Sequence, residues 1–420
     1  MKKARVWTIF VLAAVMLFAT ACSTQAPSAP AATTPAAQEA QPAQPSAAPA
    51  APAEESTDAS EGLDGTVSFG VTTALTGTNV MLGEFITTGA ELAAEQINQS
   101  GGILGKELVL VFEDEVDNLQ SSVNAMTKLM ANDELSGLFG STYSSYCLAA
   151  LPILSENKIP MFTGGTSANF MLPENENPYL WQPCMSDDMT GMIMAKVVQD
   201  TFQASNPAIL YVTDSFGTGL KDNIVAELAK LGITVDEANI YGAAVDEKNF
   251  TPIITQVQAS GVDCFISINH ETPAALICQQ VQAAGLDIPL LGSATVATSV
   301  CYELAGDAFN GWYTVTEFVS SVDTEVGKNF VAAYEAKYGK KPDTSVAIAY
   351  DSVMLFKEAC ELAGTTTDRE AINNAMQQIK DFQGVMTNYS YYGNCCLSSS
   401  KYLTVNENGE AKMLDTIVVR

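Results

Sequence analysis

The chain has 420 residues, with 48 acidic against 20 basic side chains, a formal net charge of −28 at pH 7 and one histidine. A surface so acidic repels polyphosphate and anionic headgroups, which excludes nucleic acid as a partner class. His270 alone, with no G-x-S-x-G elbow and no C-x-x-C pair, leaves neither a Ser-His-Asp hydrolase nor a zinc site a basis in the sequence.

Lys2, Lys3 and Arg5 precede an apolar run from Val6 to Phe18, which ends in Ala19, Thr20 and Ala21 directly before Cys22. A charged start, a short apolar core and small residues form a signal-peptide pattern. The run is shorter than the ~20 residues a transmembrane helix requires. With cysteine at the cleavage position, the segment resembles the lipobox of bacterial lipoproteins. It implies a signal over residues 1–21 and a lipid anchor through Cys22; a secretory signal cut near Ala21, with Cys22 incidental, is the alternative. Residues 22–62 then read as the acylated cysteine plus a disordered Ala/Pro-rich tether, because nothing in them has apolar periodicity. Forty residues of Pro-rich chain reach at most roughly 120 Å, enough to hold a domain clear of a membrane. Without the three basic signal residues, 17 Lys and Arg face 48 Asp and Glu, a formal charge of −31.

From Val67 onward, short β-rich runs alternate with helical patterns. VSFGV (67–71) reads as a strand, and Ala90, Ala93, Ala94 and Ile97 fall on one helical face that stops at Gly101-Gly102. LVLVF (108–112) is the next strand, followed by a helix marked by Val123, Met126 and Met130. LSGLFG, a helix through Leu148, Leu151 and Leu154, and IPMFT complete a first cycle. A second cycle runs through AILYVT (208–213) to Asp214, a helix to Leu231, the strand ITVDEANIY, a helix around 250–260, CFISI, a helix to Ala284 and IPLLG. Repeated βα units with near-continuous apolar strands imply parallel sheets covered on both faces. Residues 63–420 exceed a single typical core, so two α/β lobes are expected, with ligands at the carboxyl ends of their strands.

Other motifs carry no chemistry. SGGILGKE (100–107) lacks the first glycine and the final Ser/Thr of a phosphate loop. EDEVDN (113–118) lacks the glycine and distal Glu of an EF-hand and reads as a solvated acidic turn. Of the eight cysteines beyond Cys22, those in apolar runs such as Cys264 and Cys360 read as small buried hydrophobes, with disulfide pairing left open. No catalysis, cofactor or metal is expected.

The stretch ALTGTNVMLGEFITTGAELAAEQINQSGGILGKELVLVFEDE (74–115) resembles the N-terminal signature of the branched-chain amino acid (Leu/Ile/Val) binding proteins of ABC importers. KIPMFTGGTSANF, VTDSFGTGL, QQVQAAGL and AYDSVMLFKEACELAG extend the resemblance over essentially all of 65–420. It implies the type I periplasmic binding protein fold, α/β, with two Rossmann-like lobes joined by a three-crossover hinge. Lobe 1 would span about 63–184 and 317–390, and lobe 2 about 185–316 and 391–420. The implied function is solute capture by lobe closure and delivery to an ABC permease in the membrane, or use of the same domain as a sensor.

The resemblance also assigns site residues. GSTYSSYC (140–147) matches the loop that receives the solute's carboxylate, with Ser144 as its hydroxyl, and Gly165 and Ser167 follow at the next strand end. A helix N-terminus favours an anion there, although Ser is equally at home as an N-cap. Leu82 falls where the family presents a side chain to the ligand, Phe216 where relatives carry Tyr, and His270 at another cleft position. Amino acid binders place a carboxylate for the ammonium group at the position of Ala294. Glu271 is the expected substitute; otherwise the solute is an acid or amide without that group.

Overall fold

The computed structural model describes residues 62–116, 118–392, 395–396 and 400–418. The signal segment, Cys22 and the tether up to residue 61 lie outside the described residues. So do the side chains of Cys395 and Cys396.

The first sheet is built from β1 (Thr66–Thr73), β2 (Glu107–Asp114), β3 (Leu135–Phe139), β4 (Met161–Phe162) and β5 (Leu180–Trp181) in the order β2-β1-β3-β4-β5, all parallel. Between them run α1 (Val80–Gln99), α2 (Leu119–Met130) and α3 (Ser144–Asn157). Every residue of β3 is buried, as a central strand covered on both faces requires. α1 ends where glycine predicts: Gly101 and Gly102 have φ of +103° and +69°, a region L side chains avoid.

The second sheet collects β6 (Pro207–Val212), β7 (Ile240–Ala243), β8 (Cys264–Ile268), β9 (Leu290–Gly292) and β10 (Tyr313–Thr316), with α4 (Asp187–Lys196), α5 (Ser215–Lys230), α6 (Thr251–Ala259), α7 (Glu271–Ala284) and α8 (Ser299–Ala305) around them. The chain then leaves through α9 (Glu325–Tyr338), α10 (Thr344–Ala363) and α11 (Arg369–Met376). α10 packs along α1, so close at Gly89 that a Cβ there would lie 2.3 Å from the Val346 carbonyl oxygen. Four two-residue strands follow: β11 (Phe382–Gln383), β12 (Asn388–Tyr389), β13 (Tyr391–Tyr392) and β14 (Cys395–Cys396). Finally β15 (Ser400–Glu407) and β16 (Glu410–Val418) return to the second sheet as an antiparallel hairpin beside β10. Its order is β16-β15-β10-β9-β8-β6-β7. The path therefore crosses between the sheets three times, between β5 and α4, between β10 and α9, and between α11 and β15, which is the type I periplasmic binding protein fold.

Two expectations need correction. ITVDEANIY is not one strand: Asp236 caps a 3₁₀ turn over Glu237–Asn239, and only Ile240–Ala243 pairs with β6. The acidic turn after β2 is solvated at Val116 and Asn118, as expected, but two of its carboxylates also hold structure. Burial raises the Asp114 carboxyl, but the Thr76 hydroxyl and the N–H groups of Val116, Thr76 and Leu75 more than offset it and hold it below the usual range. Glu115 is buried and accepts the Ser122 hydroxyl at 2.9 Å. Cys147, Cys264, Cys278, Cys301 and Cys360 are buried and unbridged, and burial pushes the Cys147 and Cys360 thiols up to about 12, which keeps them inert. Among the described residues no helix is long and apolar enough to cross a membrane, and no cluster of three potential ligands is placed for a metal.

Candidate functional site

Loops at the carboxyl ends of the parallel strands of both sheets face each other across an open cleft of about 820 Å³, its mouth included, the position where open α/β sheets bind ligands. Leu82 on α1, the Thr142–Ser144 turn into α3 and the 164–166 loop after β4 form one wall. Phe216 and Leu220 of α5, His270 and Glu271 at the start of α7 and Ser293–Thr295 after β9 form the other. The crossovers supply Cys184, Asp187, Glu317 and, from β15, Lys401.

One end of the cleft is a donor site. At the start of α3 the Tyr143 N–H donates to Ser141 Oγ and those of Tyr146 and Cys147 to the Tyr143 carbonyl, and the Tyr143 side chain makes no cap bond, so the N–H groups of Ser144 and Ser145 are the ones placed for another acceptor. The Ser144 hydroxyl accepts the N–H groups of Thr166 at 3.1 Å and Ser167 at 3.2 Å. With both lone pairs engaged, that hydroxyl has only its proton left to offer, which suits an anion. Gly165 holds the loop tight: a Cβ would come within 3.0 Å of Ser144.

The lobes meet at the cleft mouth. The Thr272 hydroxyl, from α7, donates to Asn79 Oδ1 at 3.2 Å, and the Asn79 amide donates to the Tyr143 hydroxyl at 2.7 Å. The rings of Tyr143 and His270 lie 4.5 Å apart. Asp214 orients His270 through a 2.8 Å contact to Nε2. Burial raises the Asp214 carboxyl, but His270 and the N–H groups of Gly217 and Phe216 outweigh it and leave it below its usual range.

The floor is charged. Lys401 and Glu317, both nearly inaccessible, pair at 2.7 Å, and Lys401 also donates to the Thr190 hydroxyl at 2.8 Å. Beside them Asp187 is 1% exposed, and its Oδ2 has no hydrogen-bond partner. Burial pushes Asp187 up to about 7; the Thr166 hydroxyl and Lys401 pull it down, Asp188 and Glu317 push it further up. Glu271 is also raised, by burial first, with His270 opposing and Asp343 adding.

Of the residues singled out from sequence, Leu82, Ser144, Phe216, His270 and Glu271 line the cleft. Gly165 and Ser167 do not, although their neighbours Gly164 and Thr166 do. Ser167 caps a 3₁₀ turn by accepting Asn169 N–H at 3.2 Å and donates to the Ser215 carbonyl across the lobes at 3.3 Å. Ala294 lines the wall without a charge, as read. Sequence reasoning missed Asp187, Glu317 and Lys401, which converge from three distant segments.

Two α/β lobes closing loops from their parallel strand ends over a polar-ended cleft define a solute-binding protein of the type I class. The chain belongs to the periplasmic binding protein family, whose model matches residues 66–394. A Leu/Ile/Val-binding protein homolog of Brucella melitensis is 25% identical over 340 residues, covering 80% of this chain and 90% of that relative. Among solved structures, the leucine binding protein LivK of Thermotoga maritima superposes with a TM-score of 0.77 at 22% identity, over 84% of this chain and 99% of that one. A solute binding protein of an R. palustris ABC transporter, in complex with benzoate, gives 0.77 at 20%, over 84% and 96%. All three relatives are named as binding proteins, and the family places the chain outside the cytoplasm.

Proposed function

We propose that this chain is the lipid-anchored solute receptor of an ABC importer, tethered through Cys22, which encloses a small amino acid-like solute with an apolar side chain and delivers it to a membrane permease. The lobes divide at about 63–184 with 317–390 and about 185–316 with 391–420, and closure brings both against the solute. The observation that carries this reading is the cleft itself. Unspent donors at the start of α3 and on Ser144 lie beside an acidic floor, while Leu82, Phe216, Leu220 and Ile348 supply apolar surface. A zwitterion with an aliphatic tail fits that polarity, and the names of the Brucella and Thermotoga proteins, which bind Leu/Ile/Val and leucine, support the class.

A second reading is favoured by Ala294 and by the benzoate-bound neighbour: a small carboxylic acid or amide with no ammonium group. A thermal-shift screen of leucine, isoleucine, valine, their deaminated counterparts and benzoate separates the two. Bound solute at a hundredfold over Kd stabilises by about 2.7 kcal/mol, a visible shift. Stabilisation by the amino acids and not by the simple acids is the expected result; the reverse pattern supports the second reading.

A further inference from the structure

Helices α7 and α8 pack against each other, and each carries a cysteine on the shared face. Gln279 Nε2 of α7 donates to the Leu304 carbonyl near the end of α8 at 2.8 Å. Cys278 adjoins Gln279, and Cys301 lies about one helical turn before Leu304, so both thiols belong to that interface. Both are fully buried in one hydrophobic cluster with Phe265, Phe309 and Trp312, and the two thiols are hydrogen-bonded to each other. Cys147, by contrast, meets Thr163 Oγ1 at 3.1 Å and the Ser141 carbonyl at 3.2 Å. The family places the chain outside the cytoplasm, where paired thiols are oxidised and the bond persists. We propose that Cys278 and Cys301 form a structural disulfide in the exported protein, stapling α7 to α8.

The position of the pair gives the bond a purpose. It closes a ring from residue 278 to residue 301 that contains β9 and the Ser293–Thr295 turn of the cleft wall. Hydroxyls hold that turn in place: Thr295 Oγ1 donates to the Asn269 carbonyl at 2.7 Å, and Thr298 Oγ1 to the Thr295 carbonyl at 2.8 Å. His270 and Glu271, at the head of α7, belong to the same wall. A bond between the two helices that follow these segments fixes one against the other without touching the solute, whatever that solute is. A closed ring of this size acts chiefly by removing conformations from the unfolded chain.

Formation is a thiol–disulfide exchange with a disulfide-bearing acceptor, an oxidised dithiol oxidoreductase or glutathione disulfide. One cysteine thiolate attacks an acceptor sulfur, making a mixed disulfide and releasing one acceptor thiolate. The second cysteine thiolate attacks the chain's own sulfur in that mixed disulfide, making the Sγ–Sγ bond and releasing the other acceptor thiolate. The protons lost by the two cysteines end on the two acceptor thiolates, so the chain is oxidised and the acceptor reduced by one electron pair. Burial first, and then the neighbouring Cys301 thiol, raise Cys278 well above its usual range. The folded, reduced pair is therefore protonated and out of an acceptor's reach. Oxidation belongs to the stage of folding before α8 seats on α7, and the finished bond is shielded from reductant.

The test is mass spectrometry of the full-length chain after export into an oxidising compartment, with free thiols alkylated in urea and no reductant present. Cleavage at Asp and Glu puts Cys264, Cys278 and Cys301 on separate peptides, because Glu271 and Asp287 lie between them. The expected species is the Cys278 peptide joined to the Cys301 peptide and parted by reductant; it needs no variant. Recovery of both cysteines alkylated, or of either joined to a different cysteine, overturns the assignment. Urea unfolding of the same preparation, equilibrated with and without reductant, reads the staple itself. The parent's midpoint is expected to fall by roughly 0.5–1 M on reduction, and that of the double variant Cys278→Ala, Cys301→Ala to stay where it is. A parent midpoint indifferent to reductant, or a double variant that still responds as the parent does, overturns the stapling role.

Discussion

The charge imbalance at the cleft floor makes the cost of losing a residue depend on its sign. Lys401→Met keeps an unbranched apolar chain of similar length but removes the partner of Glu317 at 2.7 Å and the donor to Thr190 at 2.8 Å. Two neighbouring buried carboxylates, Asp187 and Glu317, then have no cation between them. Removing one partner of a buried pair costs about 3–5 kcal/mol, most of it the penalty of the stranded charge. Glu317→Gln is gentler. It keeps shape and an amide acceptor for the Met185 N–H, and Lys401 retains Asp187 as a nearby counter-charge. The expected cost is about 1–3 kcal/mol, that of a charge-assisted hydrogen bond. The double variant strands nothing, so it should be less damaged than the sum of the singles by about 1–3 kcal/mol. Urea unfolding of solute-free protein, read from the midpoint and slope, measures all three. Equal costs for the two single variants, or additivity to within about 0.5 kcal/mol, would refute the argument that Lys401 serves two carboxylates.

Other perturbations test separate parts of the molecule. In Gly83→Ala the new Cβ would sit 1.8 Å from the Ala74 carbonyl oxygen, so the loop before α1 must shift; a loss of about 1–3 kcal/mol in urea unfolding is expected. Ser144→Ala should weaken binding of a carboxylate solute about ten- to hundredfold by calorimetry, whereas Ser167→Ala, which removes a cap outside the cleft, should cost about 1 kcal/mol of stability and little affinity. Asp187 binds its proton more tightly folded, at about 7, than unfolded, near 3.9. Its contribution is therefore fully present below pH ~4 and lost as pH rises through 7, on the order of 4 kcal/mol, and Asp187→Asn should flatten that decline in unfolding measured across this range. Cys22→Ala should move the protein from the detergent phase to the aqueous phase in phase partitioning; unchanged partitioning would remove the lipid anchor from the account.

Apolar β-rich runs announce themselves, which is why VSFGV, LVLVF and CFISI each fall within an observed strand and LSGLFG overruns β3 only by Gly140, although LVLVF lies in an edge strand with Val109 exposed. ITVDEANIY misled because Asp236 and Asn239 satisfy backbone groups locally and break the ladder before Ile240. Cleft residues such as Ser144, Phe216 and His270 were legible through the family resemblance, and each follows a recognisable strand at the start of a helix, where that resemblance could be anchored. Ser167 follows a strand too, but its hydroxyl is taken up by capping, a choice between two local uses that spacing does not decide. Asp187, Glu317 and Lys401 left no such trace. Each is an ordinary charge in its own segment, and only the folding of three segments onto one floor makes Lys401 short of charge. The one local clue was a lysine at the head of the β-rich run KYLTV, where a buried strand position calls for an apolar side chain.

The placement of β15 has a consequence for the order in which the protein acquires its structure. Lys401 reaches Thr190 across 211 residues, and the strand that carries it joins the second sheet beside β10 only after the chain has passed through α9, α10 and α11 on the other side of the hinge. Contacts of such separation pay their loop-closure entropy before they are rewarded, and they form late. Until β15 docks, Glu317 and Asp187 are two acidic neighbours without their lysine, so a half-assembled second lobe is held open by its own repulsion. A chain interrupted before residue 400 would keep most of its hydrophobic segments and still lack a stable floor, which makes completion of the cleft the last checkpoint in folding rather than the first.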